Sequence, residues 1–326
     1  MPWFRSQSGP DRAQQADAAE RDRRSQAELA AGRLPLQAQE RLQQQAQGAA
    51  GWTSDLAADE LAALHQVGFE PVGQVLGSTI YRISALRVGL GGGSGMGLGG
   101  FAYSTGATEN TVLSQALYES RRLAIGRLVQ EASGLGAHGV VGVRLTIRAY
   151  DWGQGMAEFS ALGTAVRRRG AAPLPQPFTS DLSGQEFAKL VRAGWIPVGL
   201  VLGACAMQAV VVFNTMGMGM GWGSVSSWWN QEVTPFTAAI HQALQVARQR
   251  MRAEGAQLGA DGIVGVNLSR ELRDFSTGSE SVQGRLVEWV AAGTAVAAYT
   301  AAHRTQSPQL VVPLTDRADS DLPAAP

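Results

Sequence analysis

One pattern runs through this chain twice. Residues 54–77 recur without a gap as residues 180–203. Gly95–Gly99 returns as Gly217–Gly221, Leu135–Val143 as Leu258–Val266, and Gly163–Val166 as Gly293–Val296. Four blocks keep one order at offsets of 126, 122, 123 and 130 residues, which chance does not produce. Homologous copies of one sequence unit should share a fold. The chain therefore divides into a Gln/Arg-rich head (1–51), a first repeat (52–170), a short joint (171–176), a second repeat (177–301) and a polar tail (302–326). The head could be helical around Ser25–Gln47 with a break near Pro35. It has no sustained apolar face, so it is expected to be a mobile or docking segment.

Each repeat opens on a short helix. Leu56, Leu61 and Leu64 share a face in the first, and Leu182, Phe187 and Leu190 in the second. Ser183 and Glu186 have the spacing of a capping box, and Gly68 and Gly194 suit the left-handed position that stops a helix. A Val-rich strand follows (72–86; 198–213), then a Gly-rich loop, then a long helix. The second long helix carries Thr234-Pro235 as a candidate cap and first residue, with Phe236, Ile240, Leu244, Ala247 and Met251 as its apolar stripe. Both long helices end in Leu-Gly-Ala-His/Asp-Gly and turn at once into a strand. Gly136, Gly139, Gly259 and Gly262 are the turn residues, and positive φ is expected at one or more of them in each copy. A hairpin then leads to a last strand. The class is α+β: two tandem β-α-β-β units, each preceded by a short helix.

Lys+Arg and Asp+Glu are both 27, so the formal charge is zero and the basic field that nucleic-acid binding needs is absent. Cys205 is the single cysteine, which rules out an intrachain disulfide and a cysteine-rich metal site. The first residues contain no apolar stretch of signal-peptide type, and a cytoplasmic setting is expected. From Ala193 to Gln231 no residue is charged, long enough to suggest a membrane span. The aligned stretch of the first repeat carries Glu70, Arg82 and Arg87, so a strand of a water-soluble sheet accounts for both copies better.

The succession of long helix, Leu135–Val143, hairpin and Gly163–Val166, repeated as Leu258–Val266 and Gly293–Val296, resembles the YbjQ family, whose members carry a heavy-metal-binding label. The resemblance spans most of both repeats. It implies a dodecin-like subunit and ring-shaped homo-oligomers, typically pentamers, with a tandem arrangement as this chain's departure.

Candidate chemistry is thin. Gly95–Gly100 matches G-x-G-x-x-G, but the helix starts about ten residues too late for a dinucleotide turn and Trp222 breaks the pattern in the second copy. The four histidines are far apart. Sulfur ligation of a soft metal would need Cys205 with Met216, Met218 and Met220, which alternate with glycine and would share one face of an extended segment. More often such a face is packing within the domain or an interface, and the same methionines with Trp222, Trp228 and Trp229 suit contact with a subunit, a partner or, less favoured, a membrane surface. No nucleophile has a base beside it. The expectation is a non-catalytic oligomeric scaffold or binding module with no cofactor. The alternative is a protein that binds a soft or divalent heavy metal, or another small ligand, at subunit interfaces.

Overall fold

The computed structural model describes residues 12–47, 51–82, 107–150, 156–172, 174–212, 232–276 and 282–299. A helical hairpin comes first, α1 (Arg12–Ala30) and α2 (Leu36–Ala46), broken at Gly32, where φ is 74°, and Pro35. The first repeat then runs α3 (Ala58–Gln66), β1 (Phe69–Arg82), β2 (Ala107–Glu109), α4 (Thr111–Gly134), β3 (Gly139–Tyr150) and β4 (Met156–Arg168). The second runs β5 (Phe178–Thr179), α5 (Gly184–Arg192), β6 (Trp195–Val212), α6 (Thr234–Gln257), β7 (Gly262–Ser276) and β8 (Val282–Ala298). The expected α+β, β-α-β-β order is present in both.

Each repeat builds a three-stranded antiparallel sheet with its last strand in the middle, and each lends the other a short fourth strand. The orders are β1-β4-β3-β5 and β2-β6-β8-β7, so β5 of the second repeat completes the first sheet and β2 of the first completes the second. Strand β5 joins β3 in parallel, Gly139 opposite Phe178 and Val140 opposite Thr179. Strand β2 joins β6 antiparallel at Met207–Ala209.

Local chemistry fixes the element ends. Ser183 caps α5 by accepting from the Glu186 N–H, while Glu186 accepts from the Ser183 N–H at 2.9 Å. Asn110 caps α4 through the Leu113 N–H at 3.1 Å. Helix α6 differs from expectation: Thr234 is its first helical residue and Val233 stands at the cap without a side-chain bond, so Pro235 sits one place further in. Gly68 and Gly194 adopt φ of 82° and 86°, and Gly136 and Gly259 φ of 65° and 69°. Gly139 and Gly262 instead lie in the following strands.

Helix α4 buries Leu113, Leu117, Ala124 and Leu128, and α6 buries Phe236, Ala247 and Met251 of its expected stripe. In α6 the buried face also takes in Ala239, Ala243 and Gly255, while Ile240 and Leu244 are only half-buried. The reason is a close crossing. A Cβ added at Gly77 would fall 1.9 Å from the Ala124 carbonyl oxygen, and one at Gly203 1.8 Å from that of Ala247. Helix and strand touch backbone to backbone in both repeats, leaving room only for alanine-sized groups.

The head docks on the first repeat. Leu42 is buried, Arg41 pairs with Glu131 of α4, and the Gln45 amide donates to the Val72 carbonyl at 3.1 Å. Sequence patterning offered no apolar face for this because the contact is made largely by polar side chains.

Candidate functional site

The densest polar chemistry lies along the outer edge of β6, where the two repeats meet. An edge strand presents unpaired N–H and C=O groups that burial would make costly. Here nearly every one is taken, mostly by the first repeat's α4. The Ala206 carbonyl accepts from the Asn110 N–H at 2.8 Å, and the Ala206 N–H donates to the Ser114 hydroxyl at 3.1 Å. The Ala204 N–H donates to the Tyr118 hydroxyl at 2.8 Å. Arg121 donates to the Leu200 carbonyl at 2.9 Å and holds Glu254 through two bonds of 3.0 Å. Glu254 in turn accepts the Leu202 N–H at 2.7 Å. Arg250 donates to the Ala204 carbonyl at 2.9 Å and grips Glu109 at 2.6 and 2.9 Å. Behind this row, Leu113, Leu117 and Phe159 of the first repeat pack with Leu202, Ala204, Ala206 and Leu286 of the second in one shared apolar cluster.

Cys205 lies on the other face of β6, fully buried in the second repeat's core with Phe236, Ala243 and Val287. Burial pushes its thiol up to about 11, and the neighbouring Glu109 carboxylate adds to the rise. Glu109 itself is held below the usual carboxylate range by the Arg250 guanidinium. Tyr118 is raised by burial. A protonated thiol beside an acid already committed to a bidentate arginine is neither a nucleophile nor a thiolate ligand at neutral pH. Among the described residues no group of three or more His, Cys, Asp or Glu side chains could hold a metal ion. The described donors therefore do not fit a soft metal. Met216, Met218, Met220, Trp222, Trp228 and Trp229 lie outside the described residues, so Cys205 is the one member of the proposed sulfur set placed here.

Other titratable groups also have structural duties. His138 accepts from the Arg168 N–H at Nδ1 (3.2 Å), and its Nε2 faces the Ala172 carbonyl at 2.7 Å, which makes Nε2 the protonated nitrogen. Asp261, at the same place in the second repeat, accepts from the equivalent Ala298 N–H at 2.9 Å. Glu288 is buried, which raises its carboxyl, and its Oε1 lies 3.8 Å from Arg273 with no hydrogen bond of its own. Among the described residues no acid–base pair forms around it.

On the far side of the sheets an apolar cleft of ≈ 290 Å³ opens between the repeats, lined by Phe69, Phe178, Phe187, Ile196 and Tyr299, with Arg168 the charged group on its wall. Phe178 and Phe187 stack with centroids 5.7 Å apart, and Phe69 meets Phe187 edge-on at 5.0 Å. The charged side chains that serve the strand edges escaped sequence reading. They carried a signal nonetheless: Arg127 with Glu131, and Arg250 with Glu254, keep the same four-residue spacing at the same place in each repeat.

Two sheets that exchange strands around a duplicated β-α-β-β unit define a tandem fold, and sequence comparison agrees. The profile described as "Putative heavy-metal-binding" matches residues 99–169 and 198–299. The chain belongs to the YbjQ family. It is similar to the encapsulin nanocompartment protein Rv1762c of Mycobacterium tuberculosis, 35% identical over 270 residues, which cover 81% of this chain and 92% of that one. Shorter likenesses reach a UPF0145 protein of Clostridium perfringens (45% over 58 residues, 18% of this chain and 53% of that one) and one of Acinetobacter baylyi (39% over 71 residues, 22% and 64%). Among the described residues, no helix is long and apolar enough to cross a membrane.

Proposed function

We propose that this chain is a non-catalytic, self-assembling scaffold or binding module whose working form is a closed homo-oligomer of tandem repeats. The observation that carries the reading is an asymmetry of exposure. Apolar side chains sealed at the junction of the repeats have counterparts left in solvent at the two outer faces, among them Leu76, Ile80, Leu258 and Val266. Rows of that kind mark interfaces more often than free surface. Likeness to a protein named for a nanocompartment over most of both chains supports a structural role. A ring is the closed form that fits, in a cytoplasmic setting, with no nucleic-acid partner and with membrane-surface contact a lesser option. Light scattering tests the reading: an assembled particle several times 34.3 kDa is expected, and a clean monomer at micromolar concentration defeats it.

A second reading is a binder of a small ligand or heavy metal at subunit interfaces, and the aromatic cleft between the repeats favours its small-ligand form. Elemental analysis and native mass spectrometry of the purified protein separate the two: bound mass beyond the polypeptide supports the second.

A further inference from the structure

The junction between the repeats is made once within the chain, and half of each of its surfaces is left over. At the first repeat's front, residues Phe178–Leu182 lie along the outer edge of β3. The Phe178 N–H donates to the His138 carbonyl (3.1 Å) and the Ser180 N–H to that of Val140 (2.9 Å). The N–H groups of Gly142 and Val143 donate to the Leu182 and Ser180 carbonyls, both at 2.9 Å. The two adjacent N–H groups point the same way because β3 has a bulge there, with Gly142 at φ 64°. The Phe178 ring covers Gly139 so closely that a Cβ there would lie 2.3 Å from it.

Every part of this seat is present again on β7. Gly265 has φ 65° in a bulge at the same place, and β7 ends its sheet. Among the described residues nothing bonds the Asp261 and Ile263 carbonyls or the Gly265 and Val266 N–H groups from outside the sheet. A Cβ at Gly262 would meet only Val296, at 3.8 Å. Val266 is 45% exposed where its counterpart Val143 is 3% exposed. Beside it lies a hollow of ≈ 520 Å³ lined by Arg248, Met251, Arg252, Ile263 and Val266.

The matching plug is also present, unused. Residues Trp52–Leu56 correspond to Phe178–Leu182, and Trp52 is 53% exposed where Phe178 is 8%. Ser54 and Asp55 already bond Thr164 of their own repeat, as Ser180 and Asp181 bond Thr294. The segment is thus held in the shape that β5 adopts. The side chains have changed together as well. In the first repeat's seat Leu200 packs beside Ile125; in the open seat the corresponding helix residue is Arg248, and Gln74 takes the place of Leu200.

We infer that a second copy of this chain lays its Trp52–Leu56 segment along the outer edge of β7, its indole over Gly262, repeating between chains the junction made within one. This rests on the self-assembling reading and names its surfaces. The contact is head-to-tail, since the surface that docks differs from the surface that receives, and such contacts close into rings or run on as filaments. The head accommodates it in one respect: Arg41 supplies Glu131 with the guanidinium that Arg121 supplies to Glu254, and α6 carries Leu244 where α4 carries Arg121.

Cysteine cross-linking tests it. Thr179 and Val140 are register partners, so Thr53→Cys and Ile263→Cys should face each other across chains, within the Cα spacing a disulfide spans. In a Cys205→Ala background, mild oxidation of the double variant should give covalent dimers and longer ladders on a non-reducing gel, while each single variant gives none. Trp52→Ser and Val266→Asp, both at exposed positions, should each raise the concentration for half-assembly about tenfold or more without changing the far-UV spectrum. If the unsubstituted protein assembles but the double variant stays at monomer mass, this docking mode is wrong and the scaffold reading stands. A monomeric unsubstituted protein sinks both.

Discussion

Strands β1 and β6 occupy the same place in the two repeats and have met opposite fates. Leu202 on β6 is 1% exposed and Leu76 on β1 is 41% exposed; Ala206 is sealed while Ile80 stands in solvent. Yet both strands take the same short-range protection from their own long helix. Glu131 accepts the Leu76 N–H at 2.8 Å as Glu254 accepts that of Leu202, and Arg127 reaches the Ser78 carbonyl as Arg250 reaches that of Ala204. What separates them is the neighbour: α4 and β2 lie along β6, whereas among the described residues the outer edge of β1 meets, beyond its own helix, only the head, through Gln45 at Val72. Burial here is a property of position within the two-repeat chain, and the repeat sequence alone does not set it.

Five substitutions probe that difference, from largest to smallest effect. Leu202→Asp puts a carboxylate into the shared apolar cluster and should cost about 4 kcal/mol or more, while Leu76→Asp should stay within about 0.5 kcal/mol in the monomeric state. Denaturant melts of both variants would expose any error, since equal losses would mean that the edges are not different. Arg121→Ala leaves the Leu200 carbonyl without its donor and Glu254 with the Leu202 N–H but no guanidinium, and should cost about 3 kcal/mol, measured in the same way. Gly77→Ala and Gly203→Ala should each lose about 2 kcal/mol, and by similar amounts, because the helix–strand crossing lies within each repeat. Unequal losses would tie the crossing to the seam.

The smallest effect is a pH dependence at Cys205. Its folded pKa of about 11 lies above the reference value of 9.0. The folded state therefore favours the protonated thiol. Stability from this source is complete below pH 9 and falls as pH rises towards 11. Cys205→Ala should flatten that part of the stability profile, and alkylation of the native thiol at pH 8 should run about a hundredfold slower than in the unfolded chain. Rapid native labelling would show that the second repeat's core opens at β6.

How much of this was legible follows from what patterns can carry. The duplication, the α+β order, the Ser183–Glu186 cap and the glycine stops were readable because each is written within a few neighbouring residues. Of the α6 stripe, Phe236, Ala247 and Met251 are buried but Ile240 and Leu244 only half so, because hydrophobic periodicity weights large side chains and the close crossing at Gly203 selects small ones such as Ala239 and Ala243. The bulges at Gly142 and Gly265 hid inside Val-Val-Gly-Val and Ile-Val-Gly-Val, which read as plain strand. Strand exchange between the repeats was not legible at all, since pairing β5 with β3 links residues nearly 40 apart and leaves no periodic mark. The sulfur and tryptophan candidates of the second Gly-Met loop fall outside the described residues and stay proposals.

The exchange of β2 and β5 also sets an order of events when the chain is made. The first repeat leaves the ribosome with α4 and the β3 edge uncovered, and their covers, β6 and Phe178–Leu182, are encoded only afterwards. At synthesis rates of about 5–20 residues per second, completing the second repeat takes on the order of ten seconds. During that interval an apolar helix face and an open strand edge are available to any neighbouring nascent chain, including another copy of this one. Chains translated side by side on one message are therefore best placed to find each other's edges before their own second repeat arrives, and domain-swapped assemblies are the error that this protein's biogenesis must avoid.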